Sequence, residues 1–283
     1  MKNFSATLLS LIKSRINQKA AFVMVTFIIL QFFFAPLISL RLSHKESDWI
    51  FSSYAVAFSA LSYTTIVLGV LFLHANNFYD FFDRITLWAI AVGCFLRSLE
   101  VVGNTYGNLF AIYLLMLGAS FAIYITTNKE NIKGSTLKTF TIGVMWSIVT
   151  VITLALVAAL ISGKTQNMLP EGLGIILFRK ALEQLSFVTI IEESLFRGLL
   201  VSILILNKHK EHTAFIIQAV LFWAIHYSQI TLPFMFLIFL PLLTISTTII
   251  AYRYRTVYPS ILVHTLVNVF TTSLAIWFQT CFF

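Results

Sequence analysis

The chain has 283 residues, of which 59% are apolar and only 11% charged, against roughly 45–50% and 25% in ordinary soluble domains. With 28 Phe in an aromatic share of 15%, it carries more apolar surface than one water-soluble core of this length can bury, which excludes a soluble globule. The net charge of +8 reads as the loop bias of a membrane chain and not as a nucleic-acid surface, because no Lys-rich or Arg-rich run accompanies it.

The chain opens on a basic segment, residues 1–19, with Lys2, Lys13, Arg15 and Lys19. This segment either lies on an anionic inner surface as an amphipathic stretch or is a disordered tail. The apolar stretch 20–40 is too long for a signal-peptide core and lacks a small-residue cleavage site, so it reads as a retained first span. A spanning helix needs about 20 mostly apolar residues, because lipid offers the backbone no hydrogen-bond partner. Nine stretches qualify, near 20–40, 50–73, 85–102, 108–126, 139–161, 176–206, 212–229, 232–251 and 258–280. The expected fold is therefore all-α, a polytopic helical transmembrane bundle of about eight or nine spans. The loops between the spans are short, so the chain forms one continuous membrane domain, with residues 20–165 as an N-terminal set of helices. Cys94 and Cys281 lie far apart in apolar sequence and mark neither a thiol metal site nor a disulfide framework.

Basic residues collect on the cytoplasmic side of short loops. With the N-terminus inside, Lys2, Lys13, Arg15, Lys19, Arg84, Lys129, Lys133, Lys138, Lys208, Lys210, Arg253 and Arg255 fall on the inner side, and Arg41, Lys45 and Lys164 on the outer. The expectation is a cytoplasmic N-terminus in a multi-pass integral membrane protein.

Ionisable groups within spans cost about 2.5–3.5 kcal/mol each on insertion scales and need a partner or a purpose. Arg97 and Glu100, three residues apart in the third span, have the spacing of an ion pair on one helix face. The sixth span holds Glu192 and Glu193, which diverge by about 100° around the axis and so cannot do the same work. Glu193 and Arg197 share a face at i, i+4, which leaves Glu192 free for another partner such as water. Phe222 shares a face with His226 in the seventh span, and His264 with Asn268 in the ninth. Taken singly, each reads equally well as a buried salt bridge, a core histidine or inter-helix glue.

Depth brings them together. At 1.5 Å per residue from the inner ends of their spans, Glu192 and His226 lie at about 22 Å, His264 at about 14 Å and Asn268 at about 20 Å. One carboxylate, two imidazoles and a carboxamide at one level suit hydrolysis of an amide bond. The carboxylate and one imidazole activate water, and the other imidazole and the amide donate to the oxyanion.

At these residues the chain resembles the CaaX-prenyl-protease and bacteriocin-processing family of intramembrane endopeptidases, which includes an abortive-infection branch. The family pattern is EExxxR, FxxxH and HxxxN on three successive motif helices. Glu192, Glu193 and Arg197, then Phe222 and His226, then His264 and Asn268 supply it in order. The resemblance covers about residues 175–275, within a catalytic set of helices at 170–283. The loop before the third motif, Arg253 to Tyr258, departs from the family in lacking the glycine often found there.

The resemblance implies that Glu192 and His226 activate the water, that His264 and Asn268 stabilise the oxyanion, and that Glu193, Arg197 and Phe222 support them. It implies a membrane-embedded or lipidated peptide as substrate, membrane lipid as surroundings, no nucleic-acid partner and a bacterial plasma membrane as the location. No cofactor is expected; the same side chains can also be drawn as a zinc site, because Glu and His are good ligands, but a metal-free glutamate mechanism is favoured.

Two other functions fit the composition: a non-catalytic immunity or scaffold protein that keeps these residues for packing, and a transporter. Interrupted half-helices in symmetric positions, which would favour transport, are not evident. Trp88, Trp146 and Trp277 read as lipid-facing or belt residues. His44, His74, His209 and His212 fall in or near expected loops, where solvated histidines need no role. Glu183 and Gln184 either line an entrance or pair between helices.

Overall fold

The computed structural model describes residues 48–102, 107–161, 171–227 and 232–282, together with residues 19, 22, 23, 25, 26, 28 and 230. Most of the basic segment 1–19 and of the first expected span lies outside the described residues, as do His44, Arg41, Lys45 and Lys164. Eight helices fill the other expected stretches. They are α1 (Asp48–Ala75), α2 (Arg84–Val101), α3 (Gly107–Thr127), α4 (Leu137–Ile161), α5, α6 (Glu211–Ile225), α7 and α8 (Tyr258–Phe282). Helix α5 starts as Leu173–Glu183 and runs without a break through a π turn at Gln184–Val188, an α-helical turn at Thr189–Glu193, a second π turn at Ser194–Leu200 and a last stretch, Val201–Leu206. Helix α7 likewise opens on a π turn, Met235–Phe239, before Leu240–Tyr254. The described residues contain no strand beyond a single bridge between Phe81 and Thr256.

Five segments are long and apolar enough to cross a bilayer: Val56–Ala75, Gly107–Thr127, Leu137–Ile161, Met235–Tyr254 and Tyr258–Thr280. Charges set α2 and α5 apart from these, and α6 is a shorter apolar helix. The outer surface is greasy in keeping with a membrane bundle: Leu109, Met116, Ile123 and Phe178 are all more than half exposed, a pattern water does not tolerate over a whole molecule.

Helices from both parts of the chain share one core. Tyr63, Ile66 and Val70 of α1 and Leu87, Ile90 and Cys94 of α2 pack with Leu195, Leu199 and Phe222 of α5 and α6. Helix α4 lies along α8 on a stripe of small residues, Gly143, Ser147, Ala155, Ala158 and Ala159, all buried. Such residues let two backbones approach closely when lipid supplies no hydrophobic drive. A Cβ added at Gly143 would lie 3.2 Å from Pro259 Cβ.

One end of the bundle is knotted by its loops. Asp83 caps α2 by accepting from Thr86 N at 3.0 Å, and the Ser135 hydroxyl donates to its other oxygen. Arg84 Nη2 donates to Lys129 O at 2.7 Å. Phe81 N donates to Arg255 O, and Val257 N to Phe81 O. Arg255 pairs with Glu211 at 2.9 Å and with Asp80 at 3.6 Å. Loops 76–83, 128–136, 207–210 and 255–257 therefore meet at one face, and they bring Arg84, Lys129, Lys133 and Arg255 to it, as the basic-residue pattern groups them.

Two readings are refined by the structure. His74 is not a solvated loop residue: it ends α1 buried, with Nδ1 2.7 Å from Tyr124 Oη and its ring against Tyr79. The turn before α8 does without the family's glycine because Arg255 itself adopts the left-handed conformation, at φ 51°.

Candidate active site

The site is assembled where α5, α6, α7 and α8 cross, and inter-helix hydrogen bonds set their register. Thr189 of α5 and Thr265 of α8 share a bond of 2.8 Å, and Ser260 Oγ donates to Thr247 O at 2.8 Å to join α8 to α7. Gln218 Nε2 donates to Thr248 Oγ1, and Trp223 Nε1 to Phe236 O, to fasten α6 to α7. In lipid each bond replaces an otherwise unmet polar group, so together they fix how deep each helix sits.

At the centre lies a buried chain of charge. Arg197 Nη1 donates to Glu193 Oε1 at 3.0 Å, both side chains being fully buried. Arg197 Nη2 donates to Thr247 Oγ1 at 2.8 Å, and its guanidinium lies 3.9 Å from the centre of the Phe222 ring. Glu193 Oε1 also meets His264 Nδ1, at 2.8 Å. A carboxylate only accepts, so Nδ1 carries the hydrogen, and Nε2 is turned toward Glu192 Oε2 at 3.9 Å. The adjacent glutamates thus approach one imidazole from its two nitrogens, Glu193 buried and Glu192 partly open.

His226 caps α6. Its Nδ1 lies 2.7 Å from Phe222 O; a carbonyl cannot donate, so Nδ1–H is the donor and the Nε2 lone pair is left available. The Phe222 ring joins the parts, with centroids 4.7 Å from His226 and 6.1 Å from His264. Asn268, one turn beyond His264 on α8, donates through Nδ2 to Gln184 Oε1 at 2.8 Å. The structure thus links Glu192, Glu193, Arg197 and His264 directly, brings in His226 through Phe222, and ties Asn268 to Gln184.

Three of these links are not evident from motif spacing: the Glu193–His264 bond, the Thr247 partner of Arg197 and the Gln184 partner of Asn268. Thr247 belongs to no motif, and its only mark is a polar side chain in an apolar helix.

Asn268 and Gln184 also line a cavity of about 530 Å³ between α5, α7 and α8, with Lys180 and Glu183, Phe234, Met235 and Phe239, and Thr271, Thr272 and Gln279. Gln184 therefore both pairs between helices and faces an opening. Zinc needs three or four donors within about 2.0–2.2 Å of one point; among the described residues no three His, Cys, Asp or Glu groups are so placed. These residues do not fit a protein-built zinc site.

The second charge cluster is separate. Arg97 pairs with Glu100 at 2.7 Å, donates through Nε to Ser59 Oγ at 3.0 Å and lies over the Phe187 ring. Ser186 Oγ closes it on Glu100 at 2.9 Å. It fastens α1, α2 and α5, as its spacing suggests.

Comparison with curated proteins found no match, and comparison with solved structures found none. Residues 177–270 match the family model described as type II CAAX prenyl endopeptidase Rce1-like. That span runs from α5 into α8 and contains all seven motif residues, so this third of the chain is similar to the Rce1-like CaaX prenyl endopeptidases.

Proposed function

We propose that the chain is an intramembrane endopeptidase that hydrolyses a peptide bond of a membrane-associated or lipidated peptide, by a glutamate mechanism without a metal. The observation that carries this reading is the approach of Glu192 to His264 Nε2, with Glu193 holding the opposite nitrogen, inside the segment that matches a peptidase family.

In this reading a water sits between the Glu192 carboxylate and His226 Nε2. Glu192 takes its proton, and the hydroxide oxygen bonds to the scissile carbonyl carbon. The oxyanion accepts from His264 Nε2–H and from the second Nδ2–H of Asn268. The Glu192 carboxyl then returns the proton to the amide nitrogen, the C–N bond breaks, and a carboxylic acid and an amine leave. Arg197 offsets the charge of Glu193, so that Glu193 can hold the His264 ring without being an isolated buried anion.

The test is Glu192→Gln, nearly the same in shape. Membrane peptides are compared in cells carrying the native chain or the variant. A precursor that accumulates only with the variant, at unchanged protein abundance, is the expected result. An unchanged peptide profile at full abundance overturns the reading.

A further inference from the structure

Helix α4 leaves the loop knot and α7 returns to it, so the two run antiparallel. Trp146 Nε1 donates to Ser246 Oγ at 2.8 Å, and Thr150 Oγ1 lies 2.8 Å from the same hydroxyl. Above these bonds a groove of about 470 Å³ opens on the outside of the bundle, with Ile142, Met145 and Val149 on one bank and Leu242, Ile245 and Ile249 on the other. From Ile142 to Thr153 it follows α4 for about 16 Å. That is the depth of one leaflet, half of a hydrocarbon core about 30 Å thick. The groove is apart from the catalytic cluster, because Ser246 lines it while the neighbouring Thr247 turns to Arg197.

Its lining suits a hydrocarbon chain and not another helix. Helices in lipid pair through small residues, and the small stripe of α4 is already used against α8. The banks are instead long or branched: Met145, Val149 and Ile245 are each more than half exposed. The polar side chains in the groove are bonded within it. Thr150 Oγ1 donates to Trp146 O at 2.9 Å, and Thr153 Oγ1 to Val149 O at 2.8 Å.

The loop-knot end of the groove is basic. Lys138 precedes Ile142 by one turn and Arg253 follows Ile249 by one turn, so each continues the face of its own bank. Counted from the Trp146–Ser246 bond, both lie about 11 Å toward the loop knot. Both are exposed, and neither joins an ion pair among the described residues. Asp80 and Glu211 are engaged by Arg255, and Asp83 by Thr86 and Ser135. Two cations at one level, at the end of an apolar slot one leaflet deep, match a phosphate group with an acyl chain beneath it.

We propose that the groove between α4 and α7 holds one anionic glycerophospholipid, its acyl chain along Met145 and Ile245 and its phosphate between Lys138 and Arg253. The guanidinium offers the phosphate a fork of N–H donors, and the ammonium a point charge. A chain in the groove braces α7 against α4, and α7 carries Thr247 to Arg197, so bound lipid stabilises the bundle. This site does not depend on peptidase activity.

The full chain is purified in a delipidating detergent and titrated with dioleoyl phosphatidylglycerol or dioleoyl phosphatidylcholine. Native mass spectrometry counts the bound lipid, and thermal melting reads stability. One phosphatidylglycerol per chain is expected, bound at least about tenfold more tightly than phosphatidylcholine, with melting raised by it. Glycerol phosphate, which lacks the acyl chain, should not raise melting. Lys138→Gln together with Arg253→Gln should leave lipid-free melting unchanged and abolish the preference. Met145→Trp, which fills the slot, should weaken binding of both lipids. Equal binding of the two lipids, a preference kept by the double variant, unchanged binding in Met145→Trp, protection by glycerol phosphate alone, or a second copy of the chain bound in place of lipid overturns the proposal. Where Met145→Trp fails to fold, the charge variant decides.

Discussion

Glu193 holds the His264 ring by its Nδ1 at 2.8 Å, and with the same oxygen it holds Arg197 at 3.0 Å. A single buried carboxylate therefore joins two motif helices, α5 and α8. Glu193→Gln keeps the shape but leaves Arg197 without its counter-charge, and breaking a buried pair in this way costs about 3–5 kcal/mol. Unfolding in detergent should show that loss for Glu193→Gln, while Glu192→Gln, at a partly open position, stays within about 1 kcal/mol of the native chain. Equal losses would contradict the division of work between the two glutamates.

Arg197→Lys should be damaging despite the retained charge. The guanidinium serves Glu193, Thr247 and the Phe222 face at once, and a lysine ammonium cannot cover that fork. Melting of the purified protein should fall by several degrees, and Thr247→Val should lower it by less, since it removes one acceptor, about 1–3 kcal/mol.

Gly198 allows the Phe82 ring to rest on α5, where an added Cβ would collide with Phe82 Cζ. Gly198→Ala should cost about 1–3 kcal/mol through this overpacking, more than the roughly 1 kcal/mol that alanine returns in helix propensity. Phe82→Leu in the same chain should restore much of it, as read by thermal unfolding.

Arg255→Gly tests the loop that lacks the family's glycine. The substitution removes a left-handed non-glycine residue, about 1–2 kcal/mol of strain, and it removes two half-exposed ion pairs of about 0–1 kcal/mol each. Stability should stay the same or rise by up to about 1 kcal/mol. A large loss would show that the Glu211 and Asp80 contacts hold the loop knot together.

With no three donors converging among the described residues, dialysis against a strong zinc chelator should leave cleavage unchanged, and added zinc should not stimulate it. Loss on chelation with recovery on zinc would overturn the metal-free reading.

Composition and periodicity made the helices legible, because lipid forces long apolar runs and leaves ionisable groups conspicuous. Glu192, His226, His264 and Asn268 stood out as residues that do not belong in grease. Their contacts were less legible. Spacing along one helix orders side chains around its own axis but does not say which neighbouring helix each face meets. That is why the Glu193–His264 bond and the Gln184–Asn268 bond escape a reading of spacing alone. His74 escaped for another reason: the polar sequence after it resembles solvent-exposed loop, but the loop folds back over the bundle end and Tyr124 supplies a partner.

The loop knot has a mechanical corollary. Helices that are cinched at one tip and parted by a void at the other would, if they tilted, pivot near the bridged end at Phe81 and Thr256. Over a lever arm of about 30 Å, one degree of tilt moves the free tips by about half an ångström while the catalytic level moves less. Widening enough to admit a side chain is thus compatible with a nearly fixed Glu192–His264 geometry, because the jaws and the hinge are at opposite ends.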